Sequence, residues 1–245
     1  MNFFILKSQI IDQYGIKKIE DSKEHFAYYI IRPVSFWLAT LFVMLKISAN
    51  SVTWLSLIFG VLGFICFFIG GYKLQVIASF FILVWLILDH VDGNLARYYR
   101  SQSKYGDFLD SFVCYIIFAL IPISIAHSAA NSDGILQDAT LYIFGWMFSI
   151  GFTLSRLIYQ KYKQIENLDY KNVLSGRKKY TYFYKLFNIG NNLFNPSGLI
   201  IPILIICTLF QKLEFFLTFY GLGYSLIFAY SSITFIIRLE NIKND

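Results

Sequence analysis

Charge is what this chain has least of. Of its 245 residues only 15% are Asp, Glu, Lys or Arg, while 57% are hydrophobic and 20% aromatic, and the mean hydropathy is +0.56. A soluble domain carries about 25% charged residues, so this composition excludes one and fits a polytopic membrane protein. Cysteine is also scarce. Cys66, Cys114 and Cys207 all fall in apolar runs. That excludes a disulfide frame and reads as small buried hydrophobes. The first residues, with Lys7, Lys17, Glu20 and Glu24, lack the apolar core and small-residue cleavage site of a signal peptide. No internal repeat and no low-complexity tract is present, and no nucleic-acid partner is expected.

What is abundant is long apolar sequence. A helix needs about 20 mostly apolar residues to cross a bilayer. Six stretches qualify as expected spans: Ser51–Gly70, Leu74–Ala96, Gly106–Ser128, Ala139–Tyr159, Pro196–Phe210 and Phe215–Ile237. The expected fold class is therefore all-α, with six transmembrane helices preceded by an N-terminal amphipathic juxtamembrane helix. That helix is expected over Val34–Ile47, with Arg32-Pro33 at its start. Residues 1–50 form an N-terminal segment, 51–237 the transmembrane domain and 238–245 a tail. With the N-terminus inside, nineteen of the 21 basic residues fall on the cytoplasmic side, leaving Lys73 and Lys212 opposite. Such a split predicts both termini in the cytoplasm.

Against this apolar background, three acids stand out. The run Phe80–Leu88 leads directly into Asp89, Asp92, Gly93, Ala96 and Arg97, and Gly106 and Asp110 open the next run. A charge near the bilayer centre costs about 2.5–3.5 kcal/mol on insertion scales, so intramembrane acids mark an ion or substrate site. Asp89 and Asp92 are three apart, on one helix face that Ala96 continues. A short hairpin brings Asp110 to meet them. Carboxylate oxygens suit Mg²⁺, Mn²⁺ or Ca²⁺, and Mg²⁺ usually also takes phosphate oxygens. Gly93 and Ala96 keep the helix surface low for a bulky ligand, and Arg97 offers a planar fork for diphosphate oxygens. His90, adjacent to Asp89, is expected to point about 100° away.

The string Asp89-x2-Asp92-Gly93-x2-Ala96-Arg97-x8-Gly106-x3-Asp110 resembles the signature of the CDP-alcohol phosphotransferase (CDP-alcohol phosphatidyltransferase) family. Arg32-Pro33-x-Ser35 and Asn50-x-Val52-Thr53 resemble the approach to that family's first span, with Ser48-Ala49-Asn50 where Thr-Pro-Asn is usual. The resemblance covers roughly residues 32–237. It implies a dimeric membrane enzyme that transfers a phospho-alcohol group from a CDP-linked donor, CDP-diacylglycerol among the possibilities, to an acceptor hydroxyl, releasing CMP. It implies two divalent metals, Mg²⁺ or Mn²⁺, in a cytoplasm-facing cavity; the expected location is a bacterial inner membrane. Asp89, Asp92 and Asp110 would be the metal ligands. Gly93, Ala96, Arg97 and Gly106 would line the CDP pocket, bordered by Asn50 and Thr53.

One position departs from the pattern. The family signature ends with a fourth aspartate four residues after Asp110, thought to help hold metal and deprotonate the acceptor. Here that position is Cys114. A thiolate is a softer ligand than a carboxylate, although a nearby dication would make it more acidic. Cys114, with Asp110, is therefore the candidate for base chemistry. The alternatives are a degenerate protein that binds CDP-compounds without turnover, or a variant position. A cation transporter is a third class, but only one face of the bilayer carries intramembrane acids, so no polar path crosses it. Arg156, at the end of the fourth span, is a candidate acceptor-binding residue. The basic stretch 161–185 reads chiefly as a topology and lipid-headgroup determinant.

Overall fold

The computed structural model describes residues 2–15, 22–131, 138–166, 190 and 192–244. Within them every regular element is a helix and no strand occurs. Helix α1 is Phe3–Asp12, capped by Asn2, whose side chain accepts from the Phe4 amide at 3.1 Å. Helix α2 spans Ala27–Met44, α3 Ala49–Ile69, α4 Tyr72–Tyr98 and α5 Lys104–Ala130. Helix α6 is Asp138–Glu166, α7 is Pro196–Leu209 and α8 is Leu213–Asn244.

Six of these, α2 to α6 and α8, are long and apolar enough to cross a membrane. The chain is an all-α integral membrane protein with an N-terminal helix preceding the bundle. The membership of that set differs from the sequence expectation at two places. Helix α2 was expected to start near Val34, because Pro33 reads as a helix start. Instead a π-turn over Ala27–Ile31 precedes the α-helical part. This widened turn accommodates the proline, which offers no amide proton to an ordinary turn. The helix thereby reaches 18 residues. In contrast, the stretch expected as a span at Pro196–Phe210 forms only the short helix α7. It starts through a kink at Gly198 (φ −89°, ψ −113°). It then ends in a turn that places Gln211 at φ 54°.

Close helix approach relies on small residues, as expected in lipid, where packing rather than water exclusion drives association. A methyl group on Gly151 of α6 would lie 2.9 Å from the Tyr224 carbonyl of α8, and one on Gly145 would lie 3.0 Å from the Pro122 carbonyl of α5. Large aromatics fill the space beyond. Trp85, Phe118, Phe148, Phe152, Tyr220 and Tyr224 are buried in one cluster. Phe118 stacks on Phe152 at 4.1 Å, and Phe148 on Tyr224 at 5.0 Å. A second cluster joins Leu6 and Ile10 of α1 to Phe36, Ala39 and Val43 of α2 and to Leu88, Val91 and Leu95 of α4. It docks the N-terminal helices against the end of α4 that carries the acids. The opposite face of α2 exposes Trp37 and Leu41, and α8 exposes Leu226 and Tyr230.

The α4–α5 hairpin is the part that builds the site. Helix α4 closes with Arg100 at φ 52°, the Ser101 amide donating to the Ala96 carbonyl at 3.0 Å. This left-handed turn is a common way to end a helix and reverse direction. Ser103 then caps α5, its Oγ accepting from the Gly106 amide at 3.1 Å. Only residues 99–103 separate the helices. The basic stretch from 167 to 185 lies outside the described residues.

Candidate active site

A cavity of about 670 Å³ opens at this end of the bundle. Asp89, Asp92, Asp110, Cys114, Gly93, Ala96, Arg97, Gly106, Asn50 and Thr53 all line it. Every site residue expected from the sequence therefore shares one space, and Arg156 joins them. Helix periodicity explains most of this. Asp89, Asp92, Gly93, Ala96 and Arg97 follow one stripe of α4, while Gly106, Asp110 and Cys114 follow one stripe of α5.

The acids lie within reach of each other. The Asp89 and Asp110 side chains are in hydrogen-bonding contact across the hairpin. Asp92 is buried one turn further along α4, and its Oδ2 lies 2.7 Å from Thr53 Oγ1, which donates to it from α3. Thr53 Oγ1 also lies 3.2 Å from the Ala49 carbonyl. Ser48 caps α3 and so fixes the turn from which Asn50 and Thr53 project. Gly106 faces Asn50 and Ser103 across the cavity wall: a methyl group on it would make ordinary contacts, 3.6 Å from Asn50 Oδ1 and 3.4 Å from Ser103 Oγ. Arg97 folds back over Gly93, where a methyl group would touch its Nη1 at 3.4 Å.

These residues fit a divalent cation by donor chemistry. Two carboxylates in contact repel each other by about 1 kcal/mol in water and about 4 kcal/mol at a typical surface dielectric. A shared positive charge removes that repulsion, and all three acids offer hard oxygen donors. Among the described residues, no three His, Cys, Asp or Glu side chains converge on a single point. The reason is visible: Asp89 is turned to Asp110, whereas Asp92 is held by Thr53.

Cys114 sits one turn beyond Asp110, partly buried against the core. It lies in the field of Arg156, Asp89 and Asp110. The Arg156 guanidinium also lies over the Phe152 ring, 5.3 Å from its centroid. Tyr115, next to Cys114, hydrogen-bonds Gln160, one turn beyond Arg156 on α6.

Several cavity residues were not found from the sequence. Arg32 comes from α2 and is 5% exposed; Asn94 of α4, 2% exposed, accepts from it. His90, expected to point away, is buried and lines the cavity, its Nδ1 donating to the Leu86 carbonyl at 2.9 Å and lying 3.8 Å from Asp89 Oδ2. The cavity covers a wider arc of α4 than one stripe. Glu24, Asn195 and Ser197 form a further wall, with Asn195 Nδ2 donating to Glu24 Oε1 at 2.7 Å. No local spacing could have signalled that pairing across 171 positions.

No curated protein sequence matches the chain. The sequence model of the CDP-alcohol phosphatidyltransferase family matches residues 46–239, a segment that contains the whole α4–α5 hairpin, Asn50 and Thr53, Cys114 and Arg156. Spanning most of the protein, that match shows that the chain belongs to the CDP-alcohol phosphatidyltransferase family.

Proposed function

We propose that the cavity transfers a substituted phosphate group from a CDP-alcohol to an acceptor hydroxyl, releasing CMP, with Asp89, Asp92 and Asp110 as the metal-binding set. The family implies transfer of a phospho-alcohol in lipid synthesis. The observation that carries the finer reading is the Asp89–Asp110 contact beside the Thr53-bound Asp92, in one cavity that Arg97 also lines.

In the reaction, the acceptor oxygen forms a bond to the β-phosphorus. The bond from that phosphorus to the bridging oxygen breaks, and CMP leaves with the electron pair. Mg²⁺ or Mn²⁺ held by the three aspartates, two ions in the reading favoured here, would neutralise charge on the diphosphate. Arg97 grips diphosphate oxygens through its planar fork. Gly93, Ala96 and Gly106 leave room for the nucleotide against α4 and α5, with Asn50 and Thr53 at its edge. The acceptor proton passes to Asp110, which is exposed to the cavity, or to Cys114 one turn deeper, which could take it only as a thiolate, the form that a bound dication would favour. Arg156 lies beside Cys114 and suits an acceptor that carries negative charge.

The proposed setting is a bacterial inner membrane, with the cavity and both termini on the cytoplasmic side, residues 51–237 as the catalytic domain and two copies forming a homodimer. The excess of basic residues on one side of the spans supports the orientation. A panel of CDP-alcohols, CDP-diacylglycerol included, scored for CMP release with Mg²⁺ and with Mn²⁺, tests the reaction. A second reading follows from Cys114 alone: a protein that binds CDP-compounds without turnover. Nucleotide-dependent thermal stabilisation with no CMP released under any metal would favour it.

A further inference from the structure

Four side chains at the α2–α4 junction make an arrangement that the acid cluster does not explain. Asn94 Oδ1 accepts from Arg97 Nη2 at 2.7 Å and from Arg32 Nη1 at 3.2 Å. Its other half, Nδ2, donates to Ser35 Oγ at 3.1 Å, and Ser35 Oγ donates to the Arg32 carbonyl at 2.9 Å. That chain fixes the amide orientation. The Ser35 proton is committed to a carbonyl, so its oxygen can only accept, and the Asn94 oxygen must face the arginines. Arg32 is further held by the Tyr14 ring, whose centroid is 5.0 Å from its Cζ.

We infer that Arg32 and Arg97 form one seat for a phosphate-type anion, and that Asn94 is the positioning residue that builds it. Two guanidinium groups repel. A single neutral oxygen holds them together without cancelling their charge, as a carboxylate at that position would. Both arginines line the cavity. Each also lies in the field of one site carboxylate, Arg32 by Asp89 and Arg97 by Asp92, so the seat adjoins the acid cluster. The chemistry it recognises is a multiply charged group with several acceptor oxygens, such as a diphosphate. That this diphosphate belongs to a cytidine nucleotide rests on the proposed transferase reading; the seat does not.

The test is calorimetric titration of the full chain in detergent with excess Mg²⁺, using CDP and inorganic diphosphate as probes. Asn94→Leu is expected to raise the Kd of both by about 10- to 100-fold, the range for hydrogen bonds that organise charged groups. Ser35→Ala, a change at a fully buried residue outside the cavity, is expected to weaken both probes by a smaller factor. Adding Asn94→Leu to the double variant Arg32→Gln/Arg97→Gln is expected to change binding by less than about threefold, because a positioning residue acts through its partners. Unchanged Kd values in Asn94→Leu and Ser35→Ala, or an Asn94→Leu loss that persists undiminished in the Arg32→Gln/Arg97→Gln background, overturn the inference while CDP binding by the parent leaves the transferase reading standing. Asn94-dependent binding of both probes, with CDP no tighter than diphosphate, keeps the seat and removes the nucleotide reading. A parent that binds neither probe removes both. If Asn94→Leu does not fold, Ser35→Ala and the Arg32→Gln/Arg97→Gln cycle decide.

Discussion

Thr53 of α3 donates a 2.7 Å hydrogen bond to Asp92 of α4. The bond joins the first residues of one long helix to the acid cluster of the next and fixes one of the three carboxylates. Thr53→Val keeps the shape and deletes the donor. A hydrogen bond to a charged group contributes about 1.5–3 kcal/mol, so CMP release is expected to fall by about tenfold or more. The melting temperature is expected to fall modestly. A Thr53→Val protein of parental activity would remove this bond from the catalytic account.

Asp89 and Asp110 predict an opposite pairing of stability and activity. Without a cation the two carboxyls can meet only by sharing a proton, and as two carboxylates they repel. Asp110 is exposed to the cavity, so the aqueous end of the Coulomb range applies, about 1 kcal/mol. Asp89→Asn or Asp110→Asn is therefore expected to melt no lower than the parent in chelator. Both are expected to lose the stabilisation that Mg²⁺ gives the parent, and CMP release is expected to drop by about 10²-fold or more. Thermal melts with and without Mg²⁺ read this directly.

The hairpin was legible in the sequence because helix geometry is local. Asp89, Asp92, Gly93, Ala96 and Arg97 recur at three- and four-residue spacing, and Gly106, Asp110 and Cys114 at four, so each set had to share a face. The short connection then forced the two faces together. Arg32, Asn94 and Ser35 were not legible as a unit. Arg32 and Asn94 are separated by 62 positions and meet only because α1 and α2 dock against α4. The length of α2 was hidden for another local reason. Pro33 signals a helix start, and a π-turn before it is not written in residue spacing. Helix α7 had the composition of a span, but Gly198 sits where a methyl group would lie against the Asn192 backbone, and the chain kinks there.

Cys114 lies beside Asp110 and near Arg156. Cys114→Asp supplies a hard ligand in place of a soft one. It is expected to raise Mg²⁺-supported CMP release, and to raise it more with Mg²⁺ than with Zn²⁺. Equal silence of the parent and the variant toward every CDP-alcohol would place the protein among non-catalytic binders.

Gly151 lets α6 meet α8, with no room for a side chain against Tyr224. Tyr224 in turn donates to the Phe194 carbonyl at 2.6 Å, next to the Asn195–Ser197 wall of the cavity. Gly151→Val is expected to cost about 1–3 kcal/mol through overpacking. Its loss of activity should track its loss of thermal stability, in contrast to Asp110→Asn, where the two separate.

Mn²⁺ binding followed by electron paramagnetic resonance addresses the core of the account, because it reads the acids themselves and needs no substrate. The purified protein is expected to bind about two Mn²⁺ per chain, with CDP tightening them. Asp89→Asn, Asp92→Asn and Asp110→Asn should each lose at least one. A parent that binds no Mn²⁺ with CDP present, or three variants that bind as the parent does, would contradict the assignment of these carboxylates as a metal site.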